Sequence, residues 1–459
     1  MNDHNHNTHG VNRRDFLRLG STGAAGVALT GLGALNVSGQ QAPATSATPD
    51  TNAAAAQQPP QISGKLPTRT LGKTGLQVGC IIGASDWSPD VIPLAIQSGV
   101  NYWHKANAWG GKVKFPEALK AQPRESYFLE VCLDRLSGYL AGPVGDADHF
   151  YNAVKASVKG LDIGYYDMMR FHYGHHSIDE VKSETGFVDA FNRLKGEGLV
   201  KHLSISQHNY SNGPVSPGGQ TAYEILPYIM DNTPYEAAQF FYSYNGDSGR
   251  GASPREKVEE LLTTCKAKNF GSIAMKTMAG VGRFLANQKD PTDPKNRIQP
   301  KEKDLFTALL ADPKYAGTTP GSAIVKWVMS NPNLDAATIC ISNFDQLQEN
   351  FKAAMNPAMT EQDHNMLKLV HAFNHGTTCL LCADCATSCP EEIAIIDILR
   401  YERYAMDYHD LAKAKAEYMT LSKNGTSCIA CGDCLATPTC SNDINIMSKL
   451  KEVHTLLSS

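Results

Sequence analysis

Tyr166-Asp-Met-Met-Arg-Phe171 is a short, mostly apolar run set between two amphipathic stretches, His149–Gly160 before it and Thr185–Glu197 after it. Strand, helix and strand alternate here, and the alternation repeats along the chain. Similar runs occur at Val78–Ile82, Val100–His104, Tyr127–Cys132, His202–Ile205, Ala237–Tyr242, Ser272–Met275 and Ala337–Cys340. Helical patterns at Pro93–Gln97, Arg255–Lys268 and Pro320–Met329 fall in the gaps between them. Eight strands separated by helices predict an α/β chain folded as a (β/α)8 TIM barrel, whose chemistry sits where the strands end at the C-terminal face. A doubly wound sheet is the competing reading, but no Gly-x-Gly-x-x-Gly follows the first run.

Past the barrel the composition changes. Cys379, Cys382, Cys385, Cys389 and Pro390 are followed by Cys428, Cys431, Cys434 and Cys440, eight of the chain's twelve cysteines in two near-copies of one ladder. Three thiolates two residues apart wrap a loop around one face of a cubane cluster, and its fourth iron takes a ligand distant in sequence. Zinc held by C-x-x-C pairs is the alternative, and the third cysteine at the same spacing in each copy argues against it. This stretch resembles bacterial-type ferredoxins. The resemblance implies two [4Fe–4S] clusters, one on Cys379, Cys382, Cys385 and Cys440, the other on Cys428, Cys431, Cys434 and Cys389. The longer gap before Cys440, and Ser441 where proline would follow, depart from that pattern. Between the ladders, Ile393, Ile395, Ile396, Ile398, Leu399, Tyr401, Tyr404 and Tyr408 suggest one or two helices that pack a small, mostly helical domain onto the barrel.

At the other end, Asn12-Arg-Arg-Asp-Phe-Leu-Arg18 precedes a Gly-diluted apolar segment, the pattern of a twin-arginine export signal rather than of a stable membrane span. This predicts a periplasmic or extracytoplasmic protein. Residues 40–65 lack hydrophobic periodicity and read as a disordered Ala/Pro/Gln tether. The expected organisation is therefore signal (1–39), tether (40–65), barrel (66–370) and cluster domain (371–459). A net charge of -4 gives no sign of a nucleic-acid surface.

Four motifs in order are similar to those of the aldo/keto reductase superfamily: Arg69–Val78, Leu161–Asp167 leading to His172, Gly198–Lys201 leading to Ser206, and Ser342–Asn350. The likeness is strongest to the subgroup with a C-terminal ferredoxin-like domain, in which Ile273–Met278 also has a counterpart. It implies carbonyl reduction by NADP(H), with a Tyr proton donor tuned by Lys and Asp, and a His that orients substrate. Here His104 stands at the Asp position, Trp109 at the Tyr and Cys132 at the Lys, while His172 is retained. An indole N–H is too weak an acid to protonate an alkoxide, so the standard reduction is not expected.

The resemblance assigns Ser206, Gln207, Gln239 and Tyr242 to the nicotinamide, and Ser342, Asn343, Gln346 and Asn350 to the adenosine phosphate. Gln346 replaces an Arg and Cys340 a Gly, which weakens the 2′-phosphate grip. The altered mouth leaves three readings of His104, Cys132 and His172, with His208 nearby: an additional metal site, a hydrogen-bonded His pair beside a buried thiol, or His104 as a new general acid. Lys105 and Lys276 also lie near strand ends, where solvated or phosphate-binding roles are expected; His175 and His176 are expected at the surface. The leading reading is an exported oxidoreductase whose clusters relay electrons between the mouth and an external electron-transfer partner. The alternatives are an NADP(H)-dependent reductase of a small carbonyl or sugar carrying pre-bound cofactor, and a non-catalytic electron carrier with a degenerate barrel.

Overall fold

The computed structural model describes residues 61–110, 114–133, 145–172, 174–175, 177–207, 220, 222–244, 254–279, 312–374, 378–379, 385, 388–406, 410–432, 434, 440, 442 and 444–458. The export signal, nearly all of the tether, Tyr408, Cys382, Ser441, His176 and His208 lie outside them.

Eight parallel strands close into a barrel. In chain order they are β3 (Ile81–Ala84), β4 (Tyr102–His104), β5 (Phe128–Leu133), β6 (Tyr166–Phe171), β7 (Val200–Gln207), β8 (Ala237–Phe241), β9 (Gly271–Met275) and β10 (Ala336–Thr338), with β10 pairing β3 to close the ring. An antiparallel hairpin, β1 (Thr68–Thr70) and β2 (Gln77–Gly79), precedes them. The expected first strand, Val78–Ile82, is therefore two elements. The chain leaves the hairpin at Cys80, and only the part from Ile81 joins the barrel. Gly72 in the hairpin turn has φ of 47°, and a Cβ there would meet the Gly271 nitrogen at 2.1 Å, so the turn needs glycine to lie against the start of β9.

Alternation along each strand builds two different cores. Val131, Met169, Phe171, Leu203, Ile205, Phe240 and their neighbours face outward and pack under the helices. Ile82, Tyr102, Met168, Ala237, Ile273 and Ala336 gather inside with Leu71 and Val78 of the hairpin as an apolar floor. The surrounding helices start on capped ends. Asp146 accepts from the His149 backbone N–H, and Thr319 from that of Ser322, the latter with Pro320 at the first helical position.

The C-terminal region has a core of its own. Helices Ile395–Met406, Leu411–Tyr418 and Ile446–Ser458 pack around Ile393, Ile396, Ile398, Leu399, Leu450 and Val453, together with the buried Cys379, Cys385 and Cys434. Helix Ile395–Met406 is buried over almost its whole circumference, charged residues included. Asp397 pairs with Arg400 at 2.8 Å, and Glu402 with Lys449 at 2.7 Å. Its last turn reaches the barrel, where the Lys276 ammonium lies 5.7 Å from the Tyr404 ring.

Candidate active site

Above the apolar floor the barrel interior turns polar. The Tyr102 hydroxyl donates to Glu130 Oε2 at 2.7 Å, and Glu130 Oε1 pairs with Arg170 Nε at 2.8 Å. Arg170 Nη1 donates to Ser206 Oγ at 2.8 Å; Ser206 donates on to Gln239 Oε1 at 3.2 Å, and Gln239 Nε2 to Thr338 Oγ1 at 3.1 Å. Side chains from β4, β5, β6, β7, β8 and β10 thus form one hydrogen-bonded chain across the barrel. Arg170 and Glu130 are both 1% exposed. Burial disfavours the guanidinium, but Glu130 and then Cys132 outweigh it and hold Arg170 firmly cationic.

This cation meets His104 and Cys132. Arg170 Nη2 lies 3.3 Å from His104 Nδ1 and 3.4 Å from Cys132 Sγ. A guanidinium only donates, so Nδ1 accepts and the proton of a neutral His104 sits on Nε2. Burial, Arg170, Lys105 and His172 together push the His104 imidazole well below its ordinary 6.5. His104 is therefore neutral at pH 7, which removes an imidazolium as a ready general acid. A metal ion shared by His104 and Cys132 would have to displace the guanidinium that touches both. Among the described residues, those of the C-terminal ladders included, no group of three or more His, Cys, Asp or Glu stands close enough together to hold a single metal ion.

Trp109 is not at the mouth. It is 2% exposed and packs edge-on against Phe115 at 5.2 Å and against Trp103 at 6.0 Å, in the outer core. The loop that carries it is fixed by Asn107, which exchanges side-chain hydrogen bonds with the Cys132 backbone at 2.9 and 3.1 Å. His172 stays half-buried beside His104, its backbone N–H donating to the Leu133 carbonyl. His175 is buried rather than on the surface, because its ring stacks on Phe171 at 5.0 Å.

The expected nucleotide contacts divide in two. Ser206 and Gln239 face the interior, within the network. Gln207 instead braces the loop after β6, its amide bonded to both backbone groups of His175. Tyr242 points outward, 2% exposed, its ring 4.7 Å from that of Trp327 and its hydroxyl accepting from Asn331 Nδ2 at 3.0 Å. It is thus not placed to stack on a ring in the mouth. Asn343 caps helix Phe344–Met355 by accepting from the Gln346 N–H, and Gln346 Oε1 accepts from the Ser342 N–H at 2.8 Å. Asn350 is buried beneath them.

In the C-terminal region, Cys389, Cys428, Cys431 and Cys434 line one hollow with Pro390, Ile393, Ile395, Met447 and Leu450, about 330 Å³ of atom-free space counted out to its open mouth. Burial pushes the Cys434 thiol up, and the neighbouring Cys428, Cys389 and Cys431 add to the shift. Positive φ at Ala430 (54°) and Gly432 (85°) turns the backbone around Cys431. On the other ladder, Cys379 lies under Arg403, whose Nη1 donates to its carbonyl at 3.2 Å, and Asn442 Nδ2 bonds the Thr378 carbonyl at 2.8 Å, tying residue 442 to the segment that carries Cys379.

Glu130, Arg170 and Tyr102 were not singled out by sequence. The available signal was Glu130 in the otherwise apolar run Phe128–Leu133 and, on the neighbouring strand, Arg170 at an inward position of a run whose other charge, Asp167, alternates to the opposite face.

The aldo/keto reductase family profile matches residues 89–371. An uncharacterized oxidoreductase, YqkF, of Bacillus subtilis (strain 168) is 21% identical over 319 residues, covering 66% of this chain and 94% of the relative. Among solved structures, the holo form of aldo-keto reductase AKR11C1 from Bacillus halodurans is 16% identical, with a TM-score of 0.45, 67% of this chain and 99% of that chain covered. A putative aldo-keto reductase from Pseudomonas aeruginosa is also 16% identical, with a TM-score of 0.44, 64% of this chain and 97% of that chain covered.

Proposed function

Because the chain belongs to the aldo/keto reductase family and is an oxidoreductase, we propose that it does its redox chemistry at a mouth whose Tyr, Lys and Asp are replaced, with electrons carried by two [4Fe–4S] clusters in place of a nicotinamide hydride. The observation that carries the reading is the convergence of Cys389, from the first ladder, with Cys428, Cys431 and Cys434, from the second, on one hollow. A cubane spaces its thiolates farther apart than a single ion does, and a cross-ladder fourth ligand is what two such clusters require. Cys379, Cys382, Cys385 and Cys440 would hold the other. The clusters, when bound, supply one-electron steps.

The chain's own residues supply the rest. Arg170 stands where the family's ammonium is missing, cationic and braced by Glu130 and Ser206, able to stabilise negative charge on a substrate oxygen. His104 keeps its proton on Nε2 as a neutral hydrogen-bond donor, a polariser of the substrate rather than a strong acid. Helix Ile395–Met406 reaches the barrel beside Lys276, whose ammonium lies 5.7 Å from the Tyr404 ring. The twin-arginine signal supports export of the folded, loaded protein, which then exchanges electrons with a separate partner. Among the described residues no helix is long and apolar enough to cross a membrane.

The test uses full-length protein prepared without oxygen. Iron and sulfide in the amounts that two cubanes require, clusters that dithionite reduces, and no bleaching of either chromophore with NADPH are expected. Zinc in place of iron would remove the clusters from the reading, and coupled bleaching with NADPH would restore nicotinamide as the electron source.

A further inference from the structure

The two cysteine ladders lie at different depths. Cys379 and Cys385 are each 6% exposed, and Thr378 beside them is buried. In the other ladder Cys431 is exposed and Cys428 half-buried, and Ile429 between them is 64% exposed. Chain connectivity separates the ladders in the same sense. Helix Glu361–Asn374 packs into the barrel's outer core through Met366, Leu367 and Val370. Cys379 follows its last residue closely, at most ~18 Å of extended chain away.

Helix Ile395–Met406 spans the difference. Its first residue, Ile395, lines the hollow formed with Cys389, Cys428, Cys431 and Cys434. Near its other end Arg403 Nη1 donates to the Cys379 carbonyl at 3.2 Å. The next residue, Tyr404, holds its ring 5.7 Å from the ammonium of Lys276, which directly follows β9. Ile395 and Tyr404 lie roughly 14 Å apart along the helix axis. The exposed hollow therefore stands a helix length from this barrel contact, and Cys379 stands beside the contact.

We propose that the two cysteine sets work in series, with Cys379 and the residues grouped with it as the inner set and Cys389, Cys428, Cys431 and Cys434 as the outer one. Electrons then enter and leave the protein at the edge Ile429–Cys431. This rests on both ladders binding clusters. An outside carrier gives up or takes one electron at that edge, the outer iron gains or loses the same electron, and the inner iron exchanges it in turn; no bond forms or breaks. Electron transfer weakens steeply with distance. That favours entry where a cysteine ligand is exposed, and passage to the barrel where Arg403 and Tyr404 stand between Cys379 and Lys276.

The experiment uses full-length, cluster-loaded protein carrying a nitroxide on Cys340, which is exposed just past β10, whereas Cys80, Cys132 and Cys265 of the barrel are buried. Cys340→Ser protein is the unlabelled blank. Cys385→Asp and, separately, Cys431→Asp exchange one thiolate ligand for a carboxylate, which marks one centre by its altered EPR spectrum. Unchanged amide exchange of helix Ile395–Met406 verifies folding. After dithionite reduction, the centre marked by Cys385→Asp should shorten the nitroxide relaxation at least tenfold more than the centre marked by Cys431→Asp. A dysprosium chelate confined to solvent should relax the Cys431→Asp centre and leave the other within a fewfold. With both ladders unaltered, the signal that the chelate relaxes should be the one that the nitroxide does not sense, so the arrangement is tested even where a marked variant fails to fold. One centre answering to both probes, or both centres answering equally, overturns the proposal. Protein that binds no iron and sulfide overturns the cluster reading and this proposal with it, whereas two clusters in the reverse order overturn this proposal alone.

Discussion

The barrel and the C-terminal region bury their interiors in contrasting ways. The barrel's outer core is a continuous apolar layer from β3 to the helix Glu361–Asn374, and its polar interior is tied strand to strand by hydrogen bonds. The C-terminal core is smaller, and cysteines and the paired charges of helix Ile395–Met406 occupy positions that Leu or Ile would fill in an ordinary three-helix unit. A small core rarely sustains itself on apolar burial alone, and metal binding commonly supplies the remainder. The barrel should therefore stand without any cofactor, and the C-terminal region should not.

Removing the proposed clusters is the strongest way to break that comparison. All four tryptophans, Trp87, Trp103, Trp109 and Trp327, belong to the barrel, so tryptophan fluorescence reports on the barrel alone. In Cys428→Ser protein or after chelation, amides of helices Ile395–Met406 and Ile446–Ser458 should lose exchange protection while the tryptophan unfolding midpoint stays in place. A midpoint that falls with the exchange protection would show one cooperative unit and end the distinction.

The second prediction strikes the barrel only. Glu130→Ala leaves the Arg170 cation and the Tyr102 hydroxyl without their carboxylate, deep in the interior. Breaking a buried pair in this way costs about 3–5 kcal/mol. Urea unfolding followed by tryptophan should register that loss, with the exchange of the C-terminal helices unaltered. A loss under ~1 kcal/mol would mean water reaches Arg170 and takes the place of Glu130.

The barrel was readable from sequence because its signal is repetitive: eight apolar runs with helices between them survive errors at any one boundary. Cys80 shows how such an error arises, since one apolar run, Val78–Ile82, covers the end of a hairpin and the start of a strand, and hydrophobicity alone cannot mark the turn. The identities of the residues at the expected motif positions could also be read. Their side-chain directions were not. Trp109 and Tyr242 occupy motif positions that imply the mouth, yet both rings turn into the outer core, where Trp103, Phe115 and Trp327 give them aromatic partners. Arg170 escaped notice because a lone cation in a strand looks like an exposed residue until Glu130 is seen on the neighbouring strand.

The smallest predicted effect sharpens the comparison through pH. His104 is neutral in the folded barrel because burial and Arg170 hold its pKa well below the ordinary 6.5. Above pH 6.5 neither the folded nor the unfolded chain protonates it, and stability does not depend on it. Below 6.5 the unfolded chain takes up a proton that the folded barrel refuses, so stability falls with falling pH until the folded pKa is passed. One such group contributes at most ~1.4 kcal/mol per pH unit. His104→Asn keeps an acceptor for Arg170 Nη2 and carries no titrating ring. Its tryptophan-monitored stability should decline less steeply between pH 6.5 and 5 than that of the unaltered protein, while the two agree at pH 8 apart from a constant offset. Parallel profiles would place the proton on His104 in the folded state, opposite Arg170. The neutral-donor role would then fall, and with it the contrast between a barrel tuned by its own charges and a C-terminal region proposed to be stabilised by what it binds.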